Sequence, residues 1–250
     1  MNKNIERSII KEKKHQFLYG YNSEDRYNFL KDIESRNPIS NNSDKPGVIY
    51  IDDGKLAVFS KEYLNFSILL EVLTKMKKDV GLNILMPRLR RLIDLASSRN
   101  MYVKSIADLE EFFKEAKAVY KDLYLEFTKT GEVSSTNYMK LSFSNLNDTI
   151  YYYKRALNNN SNFIIILDNK NNISSYSIKA VNSLIQGSKD ISIKVATDIE
   201  NWPFDTTLNG TFIEYDENFN YVELDDSYKK HIERVRKKYI GGNNDSESFE

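Results

Sequence analysis

The chain reads as an α/β protein, a mainly parallel sheet flanked by helices and interrupted by a large helical insertion. Three features carry that reading. Strand-like and helix-like segments alternate near both ends of the chain. The run "NFIIILDN" (162–169) is apolar without a break, the signature of a strand covered on both faces rather than one. Residues from about 60 to 130 instead repeat their apolar positions at helical spacing.

Taken in order, residues 1–14 are charged and mostly polar, and read as a frayed helix or N-terminal arm. "QFLY" (16–19) is a short buried strand ending at Gly20. Tyr27, Leu30 and Ile33 then mark a helix, with Ser23 the expected N-cap. "NPISNNSDKPG" (37–47) is a loop, and "VIYI" (48–51) a second strand closed by Asp52, Asp53 and Gly54. Three amphipathic stretches follow, marked by Tyr63 to Leu73, by Leu89 to Ala96 with Pro87 in its first turn, and by Ile106 to Tyr120. "YMKLSF" (138–143) alternates as a strand does, and "LNDTIYYYKRAL" (146–157) is helical.

The most regular stretch comes next. A strand ending in Asp168, a helix over 174–187 closed by Gly187, and a strand over 191–198 form a βαβ unit, which places the centre of the sheet here. Short strand material is expected between Thr211 and Asp225, including "TFIEY" and "YVELD", then a basic helix over 227–240. The organisation is one domain over 15–240 with the insertion at about 60–130, and a disordered acidic tail over 241–250.

Composition narrows the function classes. With 36 basic and 36 acidic residues, the balance gives no global pull toward nucleic acid or anionic membrane. The absence of cysteine excludes disulfides and thiol nucleophiles and fits a reducing compartment. The two histidines, His15 and His231, lie far apart, which argues against a histidine-based metal centre. No apolar run is long enough to span a bilayer, so the expectation is a soluble cytoplasmic protein.

A glycine turn opening a helix, an apolar strand ending in Asp, a helix, and a strand ending in Thr-Asp together resemble the core of P-loop NTPases, in the additional-strand branch that includes AAA+ proteins. Within that branch "FIIILDNKNNISSYSIKAVNSLIQGSKDISIKVATD" (163–198) followed by "TLNGTFIEYDENFNYVELD" (207–225) is similar to bacterial relatives of the origin-recognition-type AAA+ ATPases. The likeness covers roughly 15–53 and 138–226. It implies a nucleotide site at Gly20, Arg26, Asp168 and Thr197, and a family lid domain for which only one helix and a tail remain after Asp226.

Set on the G-x-x-x-x-G-K-[ST] pattern from Gly20, the sequence puts Asp25 at the second Gly, Arg26 at the Lys and Tyr27 at the Ser/Thr. A carboxylate in a nest built for anions repels phosphate, and a tyrosine ring replaces the hydroxyl that would reach magnesium. Asn169 follows Asp168 where the resemblance implies a water-activating Glu, and an amide takes no proton. The expectation is a degenerate site in a pseudo-ATPase with no catalytic residue, no cofactor and no metal. Such a protein would act as a binding, scaffold or regulatory subunit of an assembly, with an active ATPase or in nucleic-acid handling or defence.

Plainer readings stand beside each signal. Residues 15–33 fit an ordinary strand-to-helix turn, Asp168 fits a cap for the following segment, and Thr197 with Asp198 fits a strand-ending turn. Tyr151 to Tyr153 suit packing better than base stacking. Two further functions stay open: an atypical ATPase binding ATP with Mg through Arg26 and Asp168, and a nucleic-acid-binding module. The latter would use the basic arm (Lys11, Lys13, Lys14) and the basic helix (Lys229, Lys230, Arg234, Arg236, Lys237, Lys238), although a solvated helix face is the usual fate of such a run.

Overall fold

The computed structural model describes residues 3–20, 22–39, 46–52, 68–69, 71–72, 105–130, 143–156, 162–168, 175–188, 190–197, 206–214, 217 and 219–225. Five strands form one sheet: β1 (His15–Tyr19), β2 (Gly47–Asp52), β3 (Phe163–Asp168), β4 (Ile191–Ala196) and β5 (Phe219–Glu223). Their spatial order is β2-β3-β4-β1-β5, and every pairing is parallel. The helices are α1 (Lys3–Lys11), α2 (Ser23–Arg36), α3 (Ile106–Thr130), α4 (Phe143–Ala156) and α5 (Ser175–Gly187).

This is the α/β architecture expected. β3 and β4 are buried at every position, because helices must cover both faces of a parallel sheet and leave no side for polar alternation. On one face Leu18, Val48, Tyr50, Ile164, Ile166 and Ala196 meet Phe29, Leu30 and Ile33 of α2. Ile9 of α1 joins the same cluster and is fully buried, so the charged N-terminal stretch is a helix docked on the core through one isoleucine face. Among its described residues, the "TFIEY" stretch contributes an isolated antiparallel bridge between Thr206 and Phe212, closed by a turn at Gly210; the strand nearby is β5. Between residues 60 and 130, α3 is described, and Ile68, Leu69 and Val72 are helical and buried. The stretch marked by Leu89 to Ala96, residues 138–142, Asn169, the basic helix with Lys229, Lys230, Arg234, Arg236, Lys237 and Lys238, and the tail lie outside the described residues.

β2 is an outer strand, and α2 covers its outer backbone edge. The Val48 N–H donates to the Asn37 carbonyl at 2.9 Å, and the Tyr50 N–H to Glu34 Oε1 at 2.9 Å. Lys31 holds Glu34 at 2.9 Å and lies over the Tyr50 ring, 4.6 Å from its centre.

The start of β1 is fixed by a histidine. His15 Nδ1 accepts the Ile193 N–H at 3.0 Å, which requires a neutral ring. Burial, and then the charge of Lys194, lower the His15 pKa from 6.5 to about 4, against an opposing hydrogen bond with Ser188. Between those two values the unfolded chain binds a proton that the folded chain does not, so stability is complete above pH 6.5 and falls as the pH drops toward 4. This group is expected to remove about 2 kcal/mol between pH 7 and pH 5. Urea titrations at the two pH values should show that loss in the native chain and a smaller one in His15→Asn, whose side-chain oxygen accepts from Ile193 without titrating.

Candidate functional site: the carboxyl edge of the sheet

In an all-parallel sheet the carboxyl ends of the strands share one edge, where open α/β folds hold ligands. The ends of β1, β3 and β4 therefore bring Gly20, Asp168 and Thr197 to the same edge, with the first turn of α2 above them. All four residues expected at a nucleotide site from the sequence sit here.

Gly20 has φ +104°, a conformation that side chains disfavour. Its space is closed as well, since a Cβ there would lie 2.6 Å from Asp225 Oδ1. The turn after β1 thus packs directly on the turn after β5, and the Leu224 N–H donates to the Tyr19 carbonyl at 2.7 Å.

Asn22, rather than Ser23, caps α2. Asn22 is extended (φ −70°, ψ 165°), and its Oδ1 accepts from the N–H groups of Glu24 at 3.1 Å and Asp25 at 2.9 Å. Asparagine outperforms serine here because one planar amide accepts from both of these N–H groups and also donates from its Nδ2, which reaches Asp25 Oδ2 at 2.6 Å. Asp25 is exposed in the first turn, where the helix dipole favours a carboxylate. It does not point into an anion nest, as the sequence pattern suggested; its place is set by the cap.

Arg26 is fully buried and directed inward, where Nε donates to Asp168 Oδ1 at 2.8 Å, both side chains being 0% exposed. The other carboxylate oxygen, Asp168 Oδ2, accepts from the Tyr50 hydroxyl at 2.5 Å. Burial first, and then this hydrogen bond and the adjacent charge, push the Tyr50 pKa far above the ordinary tyrosine value, so it is a fixed donor. Tyr27 is half-buried and packs edge-on against Tyr50, ring centres 5.7 Å apart. Thr197 is buried, and its N–H donates to the Leu18 carbonyl at 2.9 Å, tying β4 to β1 just past the ladder.

The structure thus joins Arg26 and Asp168 directly, seats Gly20 against Asp225 and places Thr197 one strand away. Tyr50 and Asn22 are the site residues that sequence reasoning missed. Among the described residues no group of three or more His, Cys, Asp or Glu side chains could hold a metal ion. No helix among them is long and apolar enough to cross a membrane.

A helix-flanked parallel sheet with β4 between the strand that enters the glycine turn and the strand that ends in Asp168 is the additional-strand form of the P-loop NTPase fold. A family model described as ORC-CDC6-like matches residues 28–239, and the chain belongs to that family, which relates it to the AAA+ ATPases. The match takes in Tyr50, Asp168 and Thr197 and begins just past Gly20, Asn22 and Arg26. A search of curated proteins finds no match to the chain.

Breaking a buried ion pair strands a charge, at about 3–5 kcal/mol, while replacing both members by apolar groups costs far less. Arg26→Met and Asp168→Leu are each expected to destabilise by that amount, and the double variant by clearly less than the sum, read from urea unfolding midpoints. Gly20→Ala should lose about 1–3 kcal/mol through its positive φ and more through overlap with the Asp225 carboxylate, and only this second part should return when Asp225→Gly is added.

Proposed function

We propose that this ORC-CDC6-like protein works without nucleotide, as a binding, scaffold or regulatory subunit of a larger assembly that acts through a protein partner. One observation carries the reading: the cation that would meet a phosphate, Arg26, is fully buried on Asp168, the carboxylate that would organise magnesium. Each group neutralises the other.

Three further features support it. The N–H groups of Glu24 and Asp25, which a phosphate loop would offer to an anion, both donate to Asn22 Oδ1. The carboxylates of Asp25 and Asp225 stand at the turn and oppose a polyphosphate. Asn169, next to Asp168, has no basic site with which to activate water. These groups do not fit a magnesium nucleotide, so no hydrolytic step is assigned to them. A nucleic-acid role through the basic segment at 229–238 has no comparable support among the described residues.

A site of 10 μM affinity would add about 2.7 kcal/mol at roughly 1 mM ligand, a shift that thermal unfolding resolves easily. The expected result with excess ATP and magnesium is no change in midpoint, no heat in calorimetric titration and phosphate release at background. Turnover that disappears in Asp168→Ala would establish instead an atypical ATPase built on Arg26 and Asp168.

A further inference from the structure

At the opposite end of the sheet lies a buried polar cluster that neither the fold's nucleotide edge nor the proposed role uses. Lys194, in the middle of β4, is fully buried. Its Nζ donates to the carbonyls of Glu12 at 2.9 Å and Lys14 at 2.8 Å, which belong to the connector between α1 and β1. Ser192 Oγ donates to the same Lys14 carbonyl at 3.0 Å, and the Ile193 N–H to His15 Nδ1 at 3.0 Å. Glu12, Lys14 and His15 are therefore fastened to three consecutive residues of β4, Ser192, Ile193 and Lys194.

The donor count is informative. Lys194 has two carbonyl acceptors, the number that a neutral amine satisfies. Gln16 pairs with Lys194 in register, which puts their side chains on one face of adjacent strands. Gln16 is 1% exposed, and its Oε1 has no hydrogen-bond partner among the described residues. Apart from this cluster, α1 is held by Ile9, with Ile5 and Ile10 beside it, and by an ion pair of Glu6 with Arg36 of α2 at 2.7 Å.

We propose that residues 12–15 and β4 form a proton-releasable clasp, in which uptake of a proton by Lys194 frees α1 from the sheet while the sheet stays folded. Release would uncover the part of the apolar cluster that Ile9 covers, on the side of the sheet where α1 meets β5. Burial lowers the Lys194 pKa from 10.5 to about 7, with the Glu12 carboxylate opposing that shift and His15 the other titratable neighbour. Freed from the clasp, Lys194 returns toward its ordinary value and binds the proton more readily than in the docked form. Docking therefore strengthens as pH rises from 7 toward 10.5 and weakens as it falls back to 7.

The chain has no cysteine, so Ile9→Cys places a single thiol under α1. Its labelling rate, divided by that of an unstructured thiol peptide at the same pH, reads the opening of α1. Protection is expected to rise between pH 7 and 9 at close to tenfold per unit, the limit for one coupled proton, and to be flat in Lys194→Met. Hydrogen exchange of residues 3–11 in the native chain reads the same opening without the thiol, and at residues 163–168 it should stay slow throughout. Protection that is independent of pH in the native-lysine chain, a slope that survives Lys194→Met, or exchange at 163–168 as fast as in α1 would each overturn the clasp.

Discussion

The buried contact of Arg26 with Asp168 determines how the rest of the carboxyl edge is arranged. Two opposite charges at 0% exposure persist only because each is the other's counterion and the leftover lone pairs and protons find partners. Tyr50 supplies one such partner from β2, so three elements, α2, β2 and β3, meet at a single carboxylate. The pair also fixes the rotation of α2. With Arg26 turned inward, Leu30 and Ile33 follow at helical spacing into the core, and Glu34 and Asn37 fall on the β2 side.

The same pair ties together the elements that meet at the carboxyl edge of this P-loop-type sheet. In open α/β folds the carboxyl edge of the sheet is where ligands are held. Here the chain provides its own. An asparagine side chain fills the helix amides, an arginine fills the place beside the aspartate, and Asp225 lies over the glycine turn. Membership of the ORC-CDC6-like family rests on residues 28–239, which hold β2 to β5 and leave out β1 and the glycine turn. The inward arginine and the asparagine cap lie just before the matched residues.

Much of the fold was legible in the sequence, and the reason is periodicity. The unbroken apolar run at 163–167 suited a strand covered on both faces in a parallel sheet, "VIYI" at 48–51 was legible as a strand, and the glycine ending "QFLY" marked a turn that does have positive φ. The site was legible as a set of positions but not as a set of contacts. Arg26 was read as a residue facing an anion; what pattern reasoning underweighted is that Arg26, Leu30 and Ile33 share one helical face, which points an arginine at the core and demands a buried carboxylate. Tyr50 hid inside an apolar strand run, where its hydroxyl was the clue, since a buried phenol needs an acceptor. Asn22 lost to Ser23 because a one-residue shift in a helix start is invisible to periodicity. The clasp at Lys194 depends on pairing between segments nearly the whole sheet apart in sequence, a relation that local patterns do not encode.

A parallel sheet ordinarily ends in backbone groups that invite another strand. Along β2 that invitation is withdrawn at two consecutive outward amides, one by the Asn37 carbonyl and one by the Glu34 carboxylate. Both blocking groups come from the end of α2, and Lys31 steadies one of them. Templated growth into a fibre, or recognition by strand addition, is thereby barred on this flank for as long as the helix stays seated.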